Sequence, residues 1–125
     1  MFNPNTEVQA FRINLKREKG NKIQVAPAMN ILAWQEEGIC FAHCLELDIV
    51  AEGKTMPETF KALSELIISQ IEFAETNRME IFHPAPSEYW QKLFEIHSNK
   101  VKQHLLDNPP KSSRELLKGL DAVHA

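Results

Sequence analysis

The chain has 125 residues, of which 43% are hydrophobic, a composition typical of one compact domain with a buried core. It carries 17 acidic and 14 basic residues, for a net charge of -3, which argues against broad affinity for a nucleic-acid backbone. No segment approaches the roughly 20 apolar residues that span a bilayer, and the first residues do not resemble a secretion signal. We therefore expect a cytoplasmic protein without membrane contact.

Two strands are predicted near the start of the chain. Residues 8–15 alternate, with Phe11, Ile13 and Leu15 on one side, as in a half-buried strand. Residues 16–22 are mostly charged and contain Gly20-Asn21, a turn signal. Residues 23–26 form a short apolar segment, which Pro27 would end. The pattern predicts an N-terminal hairpin, in which residues 8–15 pair with residues 23–26 across a charged loop.

A second hairpin is predicted from residues 30–35 and 39–44. A two-residue turn between them would force Glu37 to positive φ, whereas a three-residue loop demands this only of Gly38. The sequence therefore favours the three-residue loop. Both faces of this hairpin should carry apolar side chains. One face is predicted to carry Ile31, Ala33, Ile39 and Phe41, and the other to carry Leu32, Trp34, Cys40 and Ala42.

A helix is predicted from Met56 to about Thr76. Thr55 and Glu58 have the spacing of a capping box, and Pro57 suits the first turn. One apolar stripe follows at helical spacing: Phe60, Leu63, Ile67, Ile71 and Ala74. Three further residues widen the stripe beyond what one sheet face needs, and they predict contact with a second helix or subunit: Leu66, Ile68 and Phe73.

A second helix is predicted over residues 88–106, after the segment His83-Pro84-Ala85-Pro86 and with Ser87 as its N-cap. One side of it carries Trp90, Leu93, Phe94, His97, Val101 and Leu105. Ser112 and Glu115 predict a short last helix in a mobile tail. The expected organisation is a core over residues 1–80, a helical extension over 81–108 and a tail over 109–125.

The segment from residue 41 to residue 58 carries a family resemblance. Gly53, Thr55 and Glu58, together with the strand positions Ile39, Phe41, Ile49 and Val50, resemble the HicB-like family over residues 29–78. The resemblance implies an α+β fold, with an antiparallel sheet of four or five strands against a long helix. Antitoxin relatives often have proline and Pro-Gly where this chain has Cys44 and Leu47-Asp48, and the DNA-binding part with which they continue does not follow here.

Three polar residues are the main candidates for chemistry. His43, Glu46 and Asp48 are residue types that bind metals or transfer protons, but their spacing matches no known motif. We therefore predict a structural or solvent-facing His43, and we assign no catalytic, cofactor or metal residue. Cys40 and Cys44 would share a strand face about 13 Å apart, too far for a disulfide, and they are predicted to be buried thiols.

The leading functional prediction, which the resemblance implies, is a non-catalytic protein-interaction module. It would form a homodimer or a dimer of dimers, and it could bind and neutralise a protein partner such as a small ribonuclease toxin. Two alternatives stay open. One is an RNA-binding domain, by similarity of the HicB-like fold to RNA-binding folds. The other is a small metal-dependent enzyme that uses His43, Glu46 and Asp48.

Overall fold

The computed structural model describes residues 2–20, 22–25 and 28–109, and these form an α+β chain as predicted. The elements are β1 (Gln9–Ile13), β2 (Lys16–Lys19), β3 (Lys22–Val25), β4 (Met29–Glu36), β5 (Ile39–Cys44), β6 (Ile49–Gly53), α1 (Met56–Thr76) and α2 (Ser87–Asp107). The chain divides into two compact units, Met1–Trp90 and Gln91–Ala125. The predicted last helix, residues 112–120, lies outside the described residues.

Four strands form the main sheet, in the order β1-β4-β5-β6, with every neighbouring pair antiparallel. The predicted N-terminal hairpin is wrong in its pairing, because β1 pairs with β4, from Gln9 opposite Ala33 to Ile13 opposite Met29. This pairing lets Ile13 and Leu15 pack against the hydrophobic core. A hairpin with residues 23–26 would have left β1 outside the main sheet.

The charged segment is a strand rather than the predicted loop. β2 pairs with β3 in a separate two-stranded sheet, and Lys19 lies opposite Lys22. Gly20 has φ +66°, a value that glycine adopts at little cost. The tight turn at Gly20 therefore lets the charged residues pair with β3. Ala26 and Pro27, which were expected to end this hairpin, lie outside the described residues.

The connection between β4 and β5 also corrects the prediction. Glu36 lies opposite Ile39, so the turn has two residues, and both Glu37 (φ +50°) and Gly38 (φ +80°) have positive φ. The left-handed conformation costs a non-glycine residue about 1–2 kcal/mol. A shift of one residue in register would turn every β5 side chain to the other face of the sheet. The cost at Glu37 is therefore offset by correct burial of the strand.

This register defines two faces that differ from the predicted grouping. The inner face, under α1, carries Ile31, Ala33, Cys40, Ala42, Cys44 and Ala51, whereas the outer face carries Leu32, Trp34, Ile39, Phe41, His43 and Val50. The predicted sets paired Ile31 with Phe41 and Trp34 with Cys40, and the two-residue turn makes both combinations wrong. The prediction that the sheet is apolar on both sides is confirmed.

Helix α1 has the bounds predicted for it. The Thr55 hydroxyl accepts a hydrogen bond from the backbone N–H of Glu58 at 3.3 Å, which satisfies one free donor of the first turn. The buried residues of the helix are Thr59, Leu63, Ile67, Ile71 and Ala74. They pack on β5 and β6 and confirm the predicted stripe, except that Phe60 is only half-buried.

Helix α2 begins one residue before its predicted start and ends one residue after its predicted end. Among its residues, all of which the structure describes, Leu93 is buried, whereas Phe94 and Leu106 are exposed.

None of the helices in the described part of the chain combines the length and apolarity needed to cross a membrane.

Candidate functional site

Five rings gather on the outer face of the sheet. Phe2 meets Trp34 edge to face at 4.8 Å and Tyr89 at 6.0 Å, and Trp34 stacks on Phe41 at 5.5 Å. The ring of His43 meets Tyr89 at 4.6 Å, with an angle of 78° between the planes. Phe2, which precedes β1, and Tyr89, in the first turn of α2, thus cover part of this face. We call the five residues the aromatic cluster: Phe2, Trp34, Phe41, His43 and Tyr89. Edge-to-face and offset stacked rings are favourable arrangements.

His43 is enclosed in this cluster and hydrogen-bonded at one nitrogen. Its Nε2 lies 2.7 Å from Oδ1 of Asp48, and the residue is only 2% exposed. Asp48 adopts φ +53°, a conformation that Asp tolerates better than most residues, and this conformation belongs to the turn between β5 and β6. The Nδ1 atom of His43 is buried and has no hydrogen-bond partner among the described residues.

Glu46 binds Asn30 and not the pair of His43 and Asp48. One carboxylate oxygen accepts the backbone N–H of Asn30 at 2.8 Å, and the other accepts the Asn30 side-chain amide at 2.7 Å. The backbone N–H of Leu45 donates to the carbonyl of Asn30 at 3.0 Å. Glu46 therefore fixes the β5–β6 turn to β4. The structure brings His43 and Asp48 together, as a pair and not with Glu46 as a triad.

Both ring nitrogens of His43 are enclosed within the fold. Within residues 2–20, 22–25 and 28–109, no three His, Cys, Asp or Glu side chains are grouped so that they could hold a metal ion. A general base must reach the proton that it abstracts, whereas Nε2 of His43 faces Asp48 and Nδ1 is enclosed. The pair can hold the turn between β5 and β6 in place and orient the ring of Tyr89.

No family model, curated protein or solved structure matches this chain. Tyr89 and Trp90, neighbouring aromatic residues in the first turn of α2, are both half-buried. The Trp90 indole donates to the carbonyl of Ala85 at 3.1 Å, so both rings have structural contacts.

The cysteines lie on the inner face as free, buried thiols, as predicted. Burial raises the pKa of the Cys44 thiol from 9.0 to about 11, because desolvation disfavours the thiolate. Cys40 accepts a hydrogen bond from the side-chain amide of Gln35 at 3.4 Å and donates to the carbonyl of Lys54 at 3.8 Å. A nucleophilic or metal-binding cysteine needs the thiolate, and burial disfavours the thiolate at Cys44.

An open cleft of about 510 Å³ lies at the start of β1. It is lined by polar residues that precede or begin β1, by the last part of β4 and by the first residue of α1: Asn3, Asn5, Thr6, Glu7, Gln9, Ala33, Trp34, Gln35 and Met56. Sequence reasoning did not find this cleft. The N-terminal residues carry no motif, and the cleft depends on where β1 begins beside β4.

The last candidate is a surface of α1. Leu66 and Phe73, for which the sequence predicted contact with a second helix or subunit, are 46% and 56% exposed. They are seven residues apart and therefore lie on the same side of the helix. We call this pair the α1 flank.

Proposed function

We propose that this protein is a non-catalytic interaction module that associates with itself through the α1 flank and strand β6. The observation that carries the proposal is the exposure of Leu66 and Phe73 beside a strand at the edge of the sheet. Neighbouring exposed apolar residues often mark a protein interface.

The position of the flank follows from helix geometry. Phe60 meets Phe11 of β1 edge to face at 5.2 Å, so its side of α1 is turned toward β1. Leu66 comes six residues later, which places it about 120° away around the helix. The buried stripe lies between them. The flank therefore faces the opposite side, toward β6.

Strand β6 supports the same surface. Among the described strands it pairs with β5 alone, and an edge strand presents unpaired backbone groups to a second strand. Val50 on β6 is 48% exposed. A two-fold axis beside β6 would pair the β6 strands of two copies and bring their α1 flanks together. Two-fold dimers are the commonest soluble homo-oligomers.

The HicB-like identity is part of this proposal. Its support is the succession of β4, β5, β6 and α1 over residues 29–76, with the Thr55 cap as expected from the resemblance. In that family the sharper role is neutralisation of a small ribonuclease toxin. If the neighbouring reading frame encodes a small basic protein, co-expression with this chain should relieve any growth arrest that the small protein causes.

Charge substitutions in the flank test the self-association. The double variant Leu66→Glu/Phe73→Glu should sediment as a monomer of 14.3 kDa, because carboxylates would be buried in the interface. Lys61→Glu is a matched control: it changes the net charge by the same amount on the opposite side of the helix, and it should sediment like the parent. Equal sedimentation of the parent and the double variant would contradict the proposed surface.

A further inference from the structure

The cleft beside β4 lies along the edge of a strand and not over one sheet face. Ala33, Trp34 and Gln35 all line it, and consecutive residues of a strand point to opposite faces. A cavity that touches all three must lie beside the strand, where the backbone is presented. Met56 of α1 lines the cleft at the inner side, which agrees with this position.

Strand β1 begins opposite Ala33 and leaves the last residues of β4 uncovered. The last register pair between them is Gln9 opposite Ala33, whereas β4 continues to Glu36 and stays paired with β5 on its other side. Residues 34–36 of β4 thus have no register partner on the β1 side among the described residues. In an antiparallel ladder the backbone N–H and C=O groups of alternate residues point to the same neighbour. At least one residue of this segment therefore directs both groups at the cleft.

The walls of the cleft have the chemistry of peptide recognition. Asn3, Asn5, Gln9 and Gln35 bring amide groups, which can both donate to and accept from a peptide backbone. Among the described lining residues Glu7 carries the only charge, and it is exposed. The ring of Trp34 and the side chain of Met56 supply apolar surface for residues that point to either face of the added strand.

From these observations we infer that the cleft binds an extended peptide segment of another protein, which adds to β4 as a short strand and carries a lysine or arginine beside Glu7. Strand addition of this kind draws affinity from main-chain hydrogen bonds and specificity from the pockets for side chains. β-branched residues around the basic one suit an extended backbone. This inference does not rest on self-association, because the α1 flank contributes no residue to the cleft.

A random short-peptide phage library, selected on the immobilised full chain, is the probe. We expect enrichment of peptides that place a basic residue among β-branched ones. Synthetic copies with N-methyl groups on alternate backbone amides should lose binding, because they cannot complete the ladder. Failure to enrich any sequence over the empty support would overturn the inference, and so would equal binding of the N-methylated copies.

Three variants locate the binding. Glu7→Lys should weaken the selected peptides about two- to fivefold, as expected for an exposed ion pair, and Glu65→Lys makes the same charge change on α1 and should leave binding unchanged. Asn5→Trp should abolish binding by filling the cleft, while it keeps the hydrogen bond from the backbone N–H of residue 5 to the side-chain Oδ1 of Asn3. Circular dichroism should show that each variant is folded. Peptides that bind Glu7→Lys and Asn5→Trp as tightly as the parent would overturn the inference.

Self-association through the α1 flank and peptide binding in the cleft can be tested independently. The monomeric variant Leu66→Glu/Phe73→Glu should keep full peptide affinity, because its substitutions lie outside the cleft. Loss of peptide binding in this folded variant would contradict the assignment of the peptide to the cleft, even if the dimer proposal held.

Discussion

The two faces of the sheet are covered in different ways. On the inner face, small side chains such as Ala42 and Cys44 lie under one regular helix, and the buried contacts come from Leu63, Ile67 and Ile71. On the outer face, rings from distant parts of the chain meet: Tyr89 from α2 contacts the ring of His43, and Phe2 contacts Tyr89 in turn. The inner face thus depends on periodic packing, whereas the outer face depends on single long-range contacts. We expect the inner face to dominate stability.

The largest effect should come from Ile67→Ala. Ile67 is fully buried in the core cluster, so the substitution removes buried methylenes and leaves a cavity. The free energy of unfolding should fall by about 2–5 kcal/mol, measured by urea denaturation. A change below about half a kcal/mol would place the stripe at the surface and reverse the comparison between the faces.

Gly53→Ala should cause the next largest loss of stability. A Cβ atom at Gly53 would lie 2.7 Å from Oγ1 of Thr59 and 3.2 Å from its backbone nitrogen. Glycine is needed here because β6 and the start of α1 approach closely. Overpacking of this kind costs about 1–3 kcal/mol, which the shift in the denaturation midpoint would report. An unchanged midpoint would mean that the first turn of α1 can move away freely.

The inner face should also make stability decline in alkali. The pKa of Cys44 is raised from 9.0 to about 11 in the folded chain, so above pH 9 the unfolded chain loses a proton that the folded chain keeps. This contribution to stability is fully present below pH 9 and is lost as the pH rises toward 11. The equilibrium constant for folding should fall by at most about tenfold for each pH unit. Denaturation between pH 8 and 11 should show a shallower decline for Cys44→Ala than for the parent. Parallel curves would contradict the burial effect.

The smallest effect is expected on the outer face, from Asp48→Asn. Asparagine tolerates the left-handed backbone conformation of this position as well as aspartate does, so the substitution changes only the contact with His43. Because the side chain of Asp48 is 45% exposed, we expect a loss of about 0.5–1.5 kcal/mol in thermal or urea denaturation. A loss above about 3 kcal/mol would show that the outer pair stabilises the fold as strongly as the core does.

Local patterns predicted the elements better than their partners. The capping spacing of Thr55 and Glu58 and the stripe on α1 are properties of one helix, and both were read correctly. The partner of β1 was predicted wrongly. The choice of β4 over β3 depends on burial in the core, which a short stretch of sequence does not reveal. The turn at Glu37 was missed for a related reason, since the register of the whole sheet outweighs the preference of one residue.

The candidate sites show the same limit. The sequence offered His43, Glu46 and Asp48 as neighbours in the chain, yet Asn30 binds Glu46 and Tyr89 covers His43. Both partners come from other elements and leave no local signal. The sequence did predict the surplus of apolar residues at Leu66 and Phe73, because helical spacing alone places them beside the buried stripe.

The mass of the native chain in solution tests the central proposal most directly. Light scattering at micromolar concentration should report two or four times the chain mass of 14.3 kDa, because the α1 flank and the edge of β6 would be buried between copies. A mass of 14.3 kDa throughout that concentration range would contradict self-association and would assign the same apolar surface to a different protein.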